Sequence, residues 1–197
     1  MKVIAFNGSA RKDGNTALLL NAVLTELAAE GIDTEIYQLA GKPIQGCIGC
    51  NQCVKNKDRR CAVTKDIVNE CVAKMIEADG ILLGSPTYYA DVSAGMKALI
   101  ERSGRVGGAN GGLYKRKVGA AVVAVRRAGA FQVFNSLNAF FLISQMIVPG
   151  SSYWNIGIGR EPGEVANDAE GMKTMQVLGQ NMAWLMKRLG GQEPAAP

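Results

Sequence analysis

Apolar residues along this chain fall into two alternating rhythms. Short unbroken runs, Val3-Ile4-Ala5-Phe6, Ile81-Leu82-Leu83 between Gly80 and Gly84, and Val118 to Val125, have the length of fully buried strands. Asp33 to Leu39 alternates instead, as a second strand does when one face is covered. Between these runs the apolar positions recur at helical spacing. Leu20, Val23, Leu24 and Leu27 do so within Ala17 to Glu30, where Gly31 supplies a stop, and Ile67, Val68, Cys71, Met75 and Ile76 share one face of Lys65 to Ala78. The pattern further predicts a short helix from Ser93 to Arg102, a mobile Gly-rich stretch from Gly104 to Gly112 and a mostly buried helix from Gln132 to Met146. Beyond it, Ile147-Val148-Pro149-Gly150 leads into a fifth strand reaching about Trp154. A loop over Pro162 to Gly171, an amphipathic helix from Met172 to Leu189 and a frayed, disordered tail over 192–197 complete the reading.

Strand alternating with helix implies an α/β protein: a doubly wound parallel sheet with helices on both faces. For five strands the expected order is 2-1-3-4-5, the flavodoxin-like arrangement, in a single domain over 1–191 with a cysteine-rich insertion at 46–61. Its switch point lies between the first and third strands, and ligands bind beyond the carboxyl ends of the strands there. The loops at that point are Gly8 to Thr16 and Ser85 to Val92, so both should border one site.

The first loop reads as an anion cradle. A strand feeding a small, hydroxyl-rich turn and then a helix aims backbone N–H groups and the positive helix end at one point, with Ser9, Asn15 and Thr16 adding side-chain hydrogen bonds and Gly14 the turn. Arg11 either pairs with the anion or is a solvated loop charge. A Walker A loop is excluded, because Gly8 and Gly14 have the wrong spacing and Asn15 stands where Lys is needed; Ala10 and Lys12 break the Gly-x-Gly-x-x-Gly dinucleotide pattern. A hydroxyl-rich loop of this kind suits a terminal monophosphate such as that of FMN. The second loop fits a flavin ring: Pro86 stiffens the turn, Thr87 and nearby amides reach the ring edge, and Tyr88 or Tyr89 packs on its apolar face. Asp91 either orients this loop or caps the helix that follows.

Composition narrows the chemistry. The chain contains no histidine, which excludes Ser-His and Cys-His nucleophilic catalysis, His-ligated zinc and imidazole acid/base work, so a cofactor should carry any reaction. The net charge of +5 from 22 basic and 17 acidic residues is partly concentrated in Tyr114-Lys115-Arg116-Lys117 and Arg126-Arg127. Aromatics are not interleaved with these basic residues, which argues against a nucleic-acid partner. A Met-Lys-Val-Ile start that runs straight into a strand leaves no room for a signal peptide, and the apolar stretch Phe140 to Val148 is too short to span a bilayer. The expectation is a cytoplasmic protein without a membrane partner.

Cys47, Cys50, Cys53 and Cys61 have the spacing C-x2-C-x2-C-x7-C. Two residues between successive thiols on a tight turn, with Gly46 and Gly49 permitting sharp bends, let three sulfurs face one point while a fourth ligand comes from further along. That is the local geometry of a 4Fe–4S cluster. Zinc also accepts four thiolates, although paired C-x2-C knuckles are its usual pattern, and free redox-sensitive thiols are the plain alternative. The wide basic insert Lys55 to Arg60 separates the fourth cysteine from the others. Structural disulfides do not suit a cytoplasmic chain. Cys71, on the apolar face of a helix, reads as core.

Ser9-Ala10-Arg11 with Gly14-Asn15-Thr16, the four spaced cysteines, and Gly84-Ser85-Pro86-Thr87-Tyr88-Tyr89 together resemble the iron–sulfur flavoproteins, a branch of the NAD(P)H-dependent FMN reductase family with a flavodoxin-like fold. The motifs cover residues 1–105. The resemblance implies that Ser9, Arg11, Asn15 and Thr16 hold the FMN phosphate, that Pro86, Thr87, Tyr88 and Tyr89 border the isoalloxazine, and that Cys47, Cys50, Cys53 and Cys61 bind a 4Fe–4S cluster. It also implies a homodimer or homotetramer with flavin and cluster near subunit interfaces. The loop after the fourth strand departs from the family's Gly-rich turn: Arg126 and Arg127 stand there, either to neutralise reduced flavin or to close over a substrate. Three functions remain open on this reading. One is an FMN-dependent reductase using NAD(P)H or another small-molecule donor and passing electrons to a quinone-type acceptor or to the cluster. The others are an electron-transfer module for ferredoxin-like partners and a non-redox phosphate-binding domain.

Overall fold

The computed structural model describes residues 1–190; the tail expected over 192–197 lies outside them. Five parallel strands form one sheet in the order β2-β1-β3-β4-β5, namely β1 (Lys2–Asn7), β2 (Asp33–Gln38), β3 (Gly80–Pro86), β4 (Val118–Val125) and β5 (Ile156–Ile158). This is the expected flavodoxin-like order. Side chains on successive strand residues point to opposite faces, and the central strands divide accordingly. Ile4, Phe6, Ile81, Leu83, Ala121 and Val123 enter one core with α3 (Val68–Glu77), α4 (Ala94–Ala109) and α5 (Ala130–Ile143). Val3, Ala5, Leu82, Ala120 and Val122 enter the other, with α1 (Asn15–Ala29) and α6 (Ala169–Gly190). Burial on both faces is why β1, β3 and β4 read as continuous apolar runs.

Three expectations change. The Gly-rich stretch after Arg102 is not a mobile loop: α4 continues through Gly104 and Gly107 to Ala109. A Cβ on Gly107 would sit 2.7 Å from the Tyr114 ring, so glycine lets that buried aromatic press against the helix, and packing overrides the low helical propensity. The fifth strand does not run to Trp154. Ile147 makes only an isolated parallel bridge to Val118, Pro149-Gly150 interrupts the edge, and pairing resumes at Ile156 beside Val123. The segment Pro162 to Gly171 contains a 3-10 turn at Glu164–Asn167, and α6 begins at Ala169.

The cysteine segment crosses the α3–α4 side of the molecule and carries one short helix, α2 (Gln52–Asn56). Cys53 anchors it in a satellite apolar cluster with Val68, Val72 and Val106. Among the described residues no helix is long and apolar enough to cross a membrane.

Candidate functional site

A cleft opens where the expected switch point lies, beyond the carboxyl ends of β1 and β3. Ser9, Ala10, Arg11, Asn15 and Thr16 form one wall, Pro86, Thr87 and Tyr88 another, and Ala124, Val125, Arg126, Gly159 and Arg160 complete it. The two sequence motifs therefore do meet. The walls are joined by main chain: Gly8 N–H donates to Gly84 C=O at 2.8 Å, and Thr87 N–H donates to Ala124 C=O at 2.8 Å. Gly8 is required for the first contact, because a Cβ there would lie 2.9 Å from Ser93 Oγ and 3.0 Å from Gly84 O. No side chain caps Gly14 and no acidic residue stands in the first turn of α1. The positive end of α1 thus faces the cleft without a carboxylate in its own first turn, and Arg11, Arg126 and Arg160 line the same cleft, Arg160 pairing with Glu161 at 3.2 Å.

Ser9 is buried and serves the turn, its Oγ accepting from Arg11 N–H at 3.1 Å. Asn15 is engaged differently from expectation. Its Nδ2 donates to the carbonyls of Gly159 and Glu161, both at 3.0 Å, and its Oδ1 accepts from the amides of Gly163 and Val165. That exhausts the amide's hydrogen-bonding capacity; Asn15 fastens the loop after β5 to the cradle and leaves anion contacts to backbone N–H groups and arginines. Asp91 orients its loop, accepting from Val92 N–H at 2.7 Å and from Ser136 Oγ at 3.3 Å, while Ser93 caps α4. Tyr88 lines the cleft, whereas Tyr89 is fully exposed at the tip of a tight turn closed by reciprocal bonds between Tyr88 and Asp91. Tyr89 and Ala90 occupy this turn at φ +49° and +59°, a left-handed pair that glycine or asparagine would enter more easily. Thr87 Oγ1 is buried without a hydrogen-bond partner, an orphan in a wall of the cleft of the kind a bound polar ligand edge satisfies.

Four contributors were not foreseen from sequence. Asn7, buried at the end of β1, accepts from Ser9 N–H and donates to Lys12 C=O and to Gln38 Oε1, and Gln38 donates to Ser9 C=O at 2.6 Å. A polar residue closing an otherwise apolar strand was the available signal for Asn7. Gly159 and Arg160 arrive from the far end of the chain, and only the fold brings them in.

The four spaced cysteines also converge. Cys47, Cys50, Cys53 and Cys61 line one small cavity together with Arg102, Arg105 and Val106 of α4. Gly49 (φ +66°) and Asn51 (φ +56°) take the left-handed positions that turn the chain between thiols. Gly46 lies outside the left-handed region and passes close to the Glu101 carboxylate, which also accepts from Cys47 N–H at 3.4 Å. Asn69 brackets Cys61, accepting from its N–H at 2.8 Å and donating to its C=O at 2.9 Å. Among the described residues no three Cys, Asp or Glu side chains form a closed ligand set. The four cysteines border one cavity, and as soft donors they are of the type that suits iron–sulfur or zinc. Cys71 stands apart in the main core, where burial pushes its thiol up to about 12 and keeps it protonated.

Fold and cleft define a flavodoxin-like α/β protein, and sequence comparison gives its family. Residues 1–161 match the family model described as NADPH-dependent FMN reductase. The chain is 42% identical over 194 residues to an iron–sulfur flavoprotein of Methanocaldococcus jannaschii, spanning 95% of this chain and 98% of that one. It is 31% identical over 195 residues to an iron–sulfur flavoprotein of Archaeoglobus fulgidus, spanning 99% and 84%. Among solved structures, RosB with a bound 8-demethyl-8-formylriboflavin-5'-phosphate superposes with a TM-score of 0.76 at 18% identity, covering 100% of this chain and 82% of that one. An NAD(P)H:quinone oxidoreductase from Methanothermobacter marburgensis gives 0.66 at 13% identity, covering 92% and 96%. The chain belongs to the NADPH-dependent FMN reductase family, in its iron–sulfur flavoprotein branch. It is an FMN-dependent redox protein of the oxidoreductase class.

Proposed function

We propose that this protein moves electrons between FMN held in the β1–β3 cleft and a 4Fe–4S cluster held by Cys47, Cys50, Cys53 and Cys61. The observation that carries this reading is that all four cysteines border one cavity, in a chain whose cleft is lined to suit a flavin phosphate and ring. FMN, when bound, supplies both one- and two-electron chemistry and so links a hydride donor to a one-electron centre. The chain's own residues do the rest. The first-turn amides of α1 with Arg11, Arg126 and Arg160 bind and neutralise the phosphate, Thr87 offers its unpaired hydroxyl to the ring, and Tyr88 covers it. Helix α4 connects the two centres: its Ser93 cap receives the ring-side loop, and Arg102 lies about 13 Å further along the axis.

The donor is NAD(P)H or a ferredoxin-like protein, with a small acceptor downstream. Exposed apolar side chains on α5 and beside it, Phe131, Leu142, Ile143 and Trp154, support assembly as a homodimer or homotetramer. Five unpaired thiols suit a reducing, cytoplasmic compartment. The deciding experiment is an absorption spectrum of anaerobically purified protein with iron, sulfide and zinc assays on the same sample. Flavin bands with about four irons per chain support the reading. Flavin without metal leaves an FMN reductase with free cysteines, and zinc replaces the cluster reading. Turnover with NAD(P)H against turnover with reduced ferredoxin alone separates reductase from carrier.

A further inference from the structure

Arg102 lies on α4 with only 1% of its surface exposed. Burying a guanidinium is costly unless every donor is matched, and here all five N–H donors are placed. Nη1 donates to Gln45 C=O at 3.2 Å and to the Asp66 carboxylate. Nη2 donates to Val63 C=O at 2.9 Å and to Cys61 Sγ at 3.3 Å, and Nε donates to the same sulfur at 3.4 Å. A guanidinium keeps its charge at every working pH. The bonds to Gln45, Val63 and Asp66 staple the two ends of the cysteine segment together. The pair on sulfur reaches the fourth cysteine directly. A neutral thiol is a weak acceptor, whereas two N–H groups of a guanidinium fork aimed at one sulfur match an anionic ligand atom.

We propose that Arg102 is a positioning residue for the fourth cluster ligand. It holds Cys61 Sγ against the cavity shared with Cys47, Cys50 and Cys53, and its charge and N–H···S bonds raise the reduction potential of the group these cysteines bind. The inference rests on the cluster reading above.

The test compares wild type, Arg102→Lys and the double variant Arg102→Met with Asp66→Asn, all reconstituted anaerobically with iron and sulfide. The double variant removes both members of the buried pair, so neither charge is left unpaired, and FMN retention with far-UV circular dichroism verifies folding. The readouts are iron and sulfide per chain, iron retention against a chelator, and midpoint potential from an EPR-monitored titration. The expected result is iron held about 10- to 100-fold less tightly in the double variant, with a potential more negative than wild type. Lysine should recover part of the potential through its charge but not the retention, since it lacks the fork. Folded variants with wild-type retention and potential would reduce Arg102 to a loop staple and overturn the inference alone. A wild type that keeps FMN but takes up no iron would overturn the cluster reading and the inference with it, and is recognised because the unmodified chain fails.

Discussion

The cleft at the strand ends and the cysteine cavity are built by different means. The walls of the cleft are joined by main chain at strand ends, through Gly8 to Gly84 and Thr87 to Ala124 bonds that extend the sheet ladder, with Asn7, Gln38 and Asn15 bracing its loops. The cysteine segment has no strand pairing. Side chains of neighbouring helices hold it: Glu101 on the Cys47 amide, Arg105 on Asn51, Asn69 on both sides of Cys61, and Arg102 on the sulfur itself. A site built from a parallel sheet is preorganised wherever the sheet is folded. One built from a few side chains is only as ordered as those side chains, and it can open locally while the core stays intact.

The largest effect should come from breaking the side-chain-built region at its centre. Arg102→Met alone leaves Asp66 as an uncompensated buried carboxylate, and the expected loss is about 3–5 kcal/mol of stability. Adding Asp66→Asn should recover much of it. Thermal melts of the two variants and the parent, run on the same day, check the asymmetry; equal losses would place the cysteine segment's stability elsewhere.

The main-chain region is attacked at Gly8. Gly8→Ala places a Cβ 3.0 Å from Gly84 O and 2.9 Å from Ser93 Oγ, and a backbone carbonyl in a central strand cannot yield as a flexible side chain would. Overpacking of this kind costs about 1–3 kcal/mol. It should also lower FMN affinity, because the cradle is forced away from β3. Fluorescence titration of apoprotein with FMN measures this, and unchanged affinity would mean the cleft tolerates separation of its walls.

The same contrast explains what the sequence revealed. The sheet order and both cleft loops were legible because apolar runs and strand-to-helix turns are local signals, and a parallel α/β topology places the ends of β1 and β3 together. That Cys47, Cys50, Cys53 and Cys61 border one space was legible from spacing. The clamp was not: Arg102 is far from the cysteines along the chain, and nothing local distinguishes a buried arginine on a helix from a solvated one. Asn15 misled for a similar reason. Its place in the loop suggested an anion ligand, but its partners, Gly159 to Val165, are supplied by a distant loop. The glycines of α4 were read by propensity, which Tyr114 packing overrides.

A smaller effect is expected at the turn beside the flavin cleft. Ala90 holds φ +59° with a Cβ, a strain of the kind found at functional sites. Ala90→Gly should raise stability by about 0.5–1 kcal/mol, the left-handed penalty less the extra freedom of glycine when unfolded. If the turn's geometry is held for the flavin, the same variant should release FMN faster. Stopped-flow dissociation checks that second outcome, and a stabilised variant with unchanged release would separate the strain from cofactor binding.

The smallest effect at neutral pH separates the thiols. Cys47 and Cys50 are exposed, whereas Cys71 is fully buried with its thiol raised to about 12 by burial first and by Glu70 second. In metal-free native protein at pH 8, iodoacetamide should label Cys47 and Cys50 quickly and leave Cys71 unmodified, as peptide mapping will show. Linkage fixes the sign of the pH effect. An unfolded cysteine ionises near pH 8.5, whereas the folded Cys71 does not until about 12. The unfolded chain therefore binds fewer protons in that window, and stability falls as pH rises through it, with the full contribution present below pH 8.5. Cys71→Val removes the ionisable group and should flatten that alkaline slope in urea melts between pH 8 and 10. A slope that survives the substitution would assign the alkaline sensitivity to Tyr37 and Tyr114, whose phenols burial also pushes up.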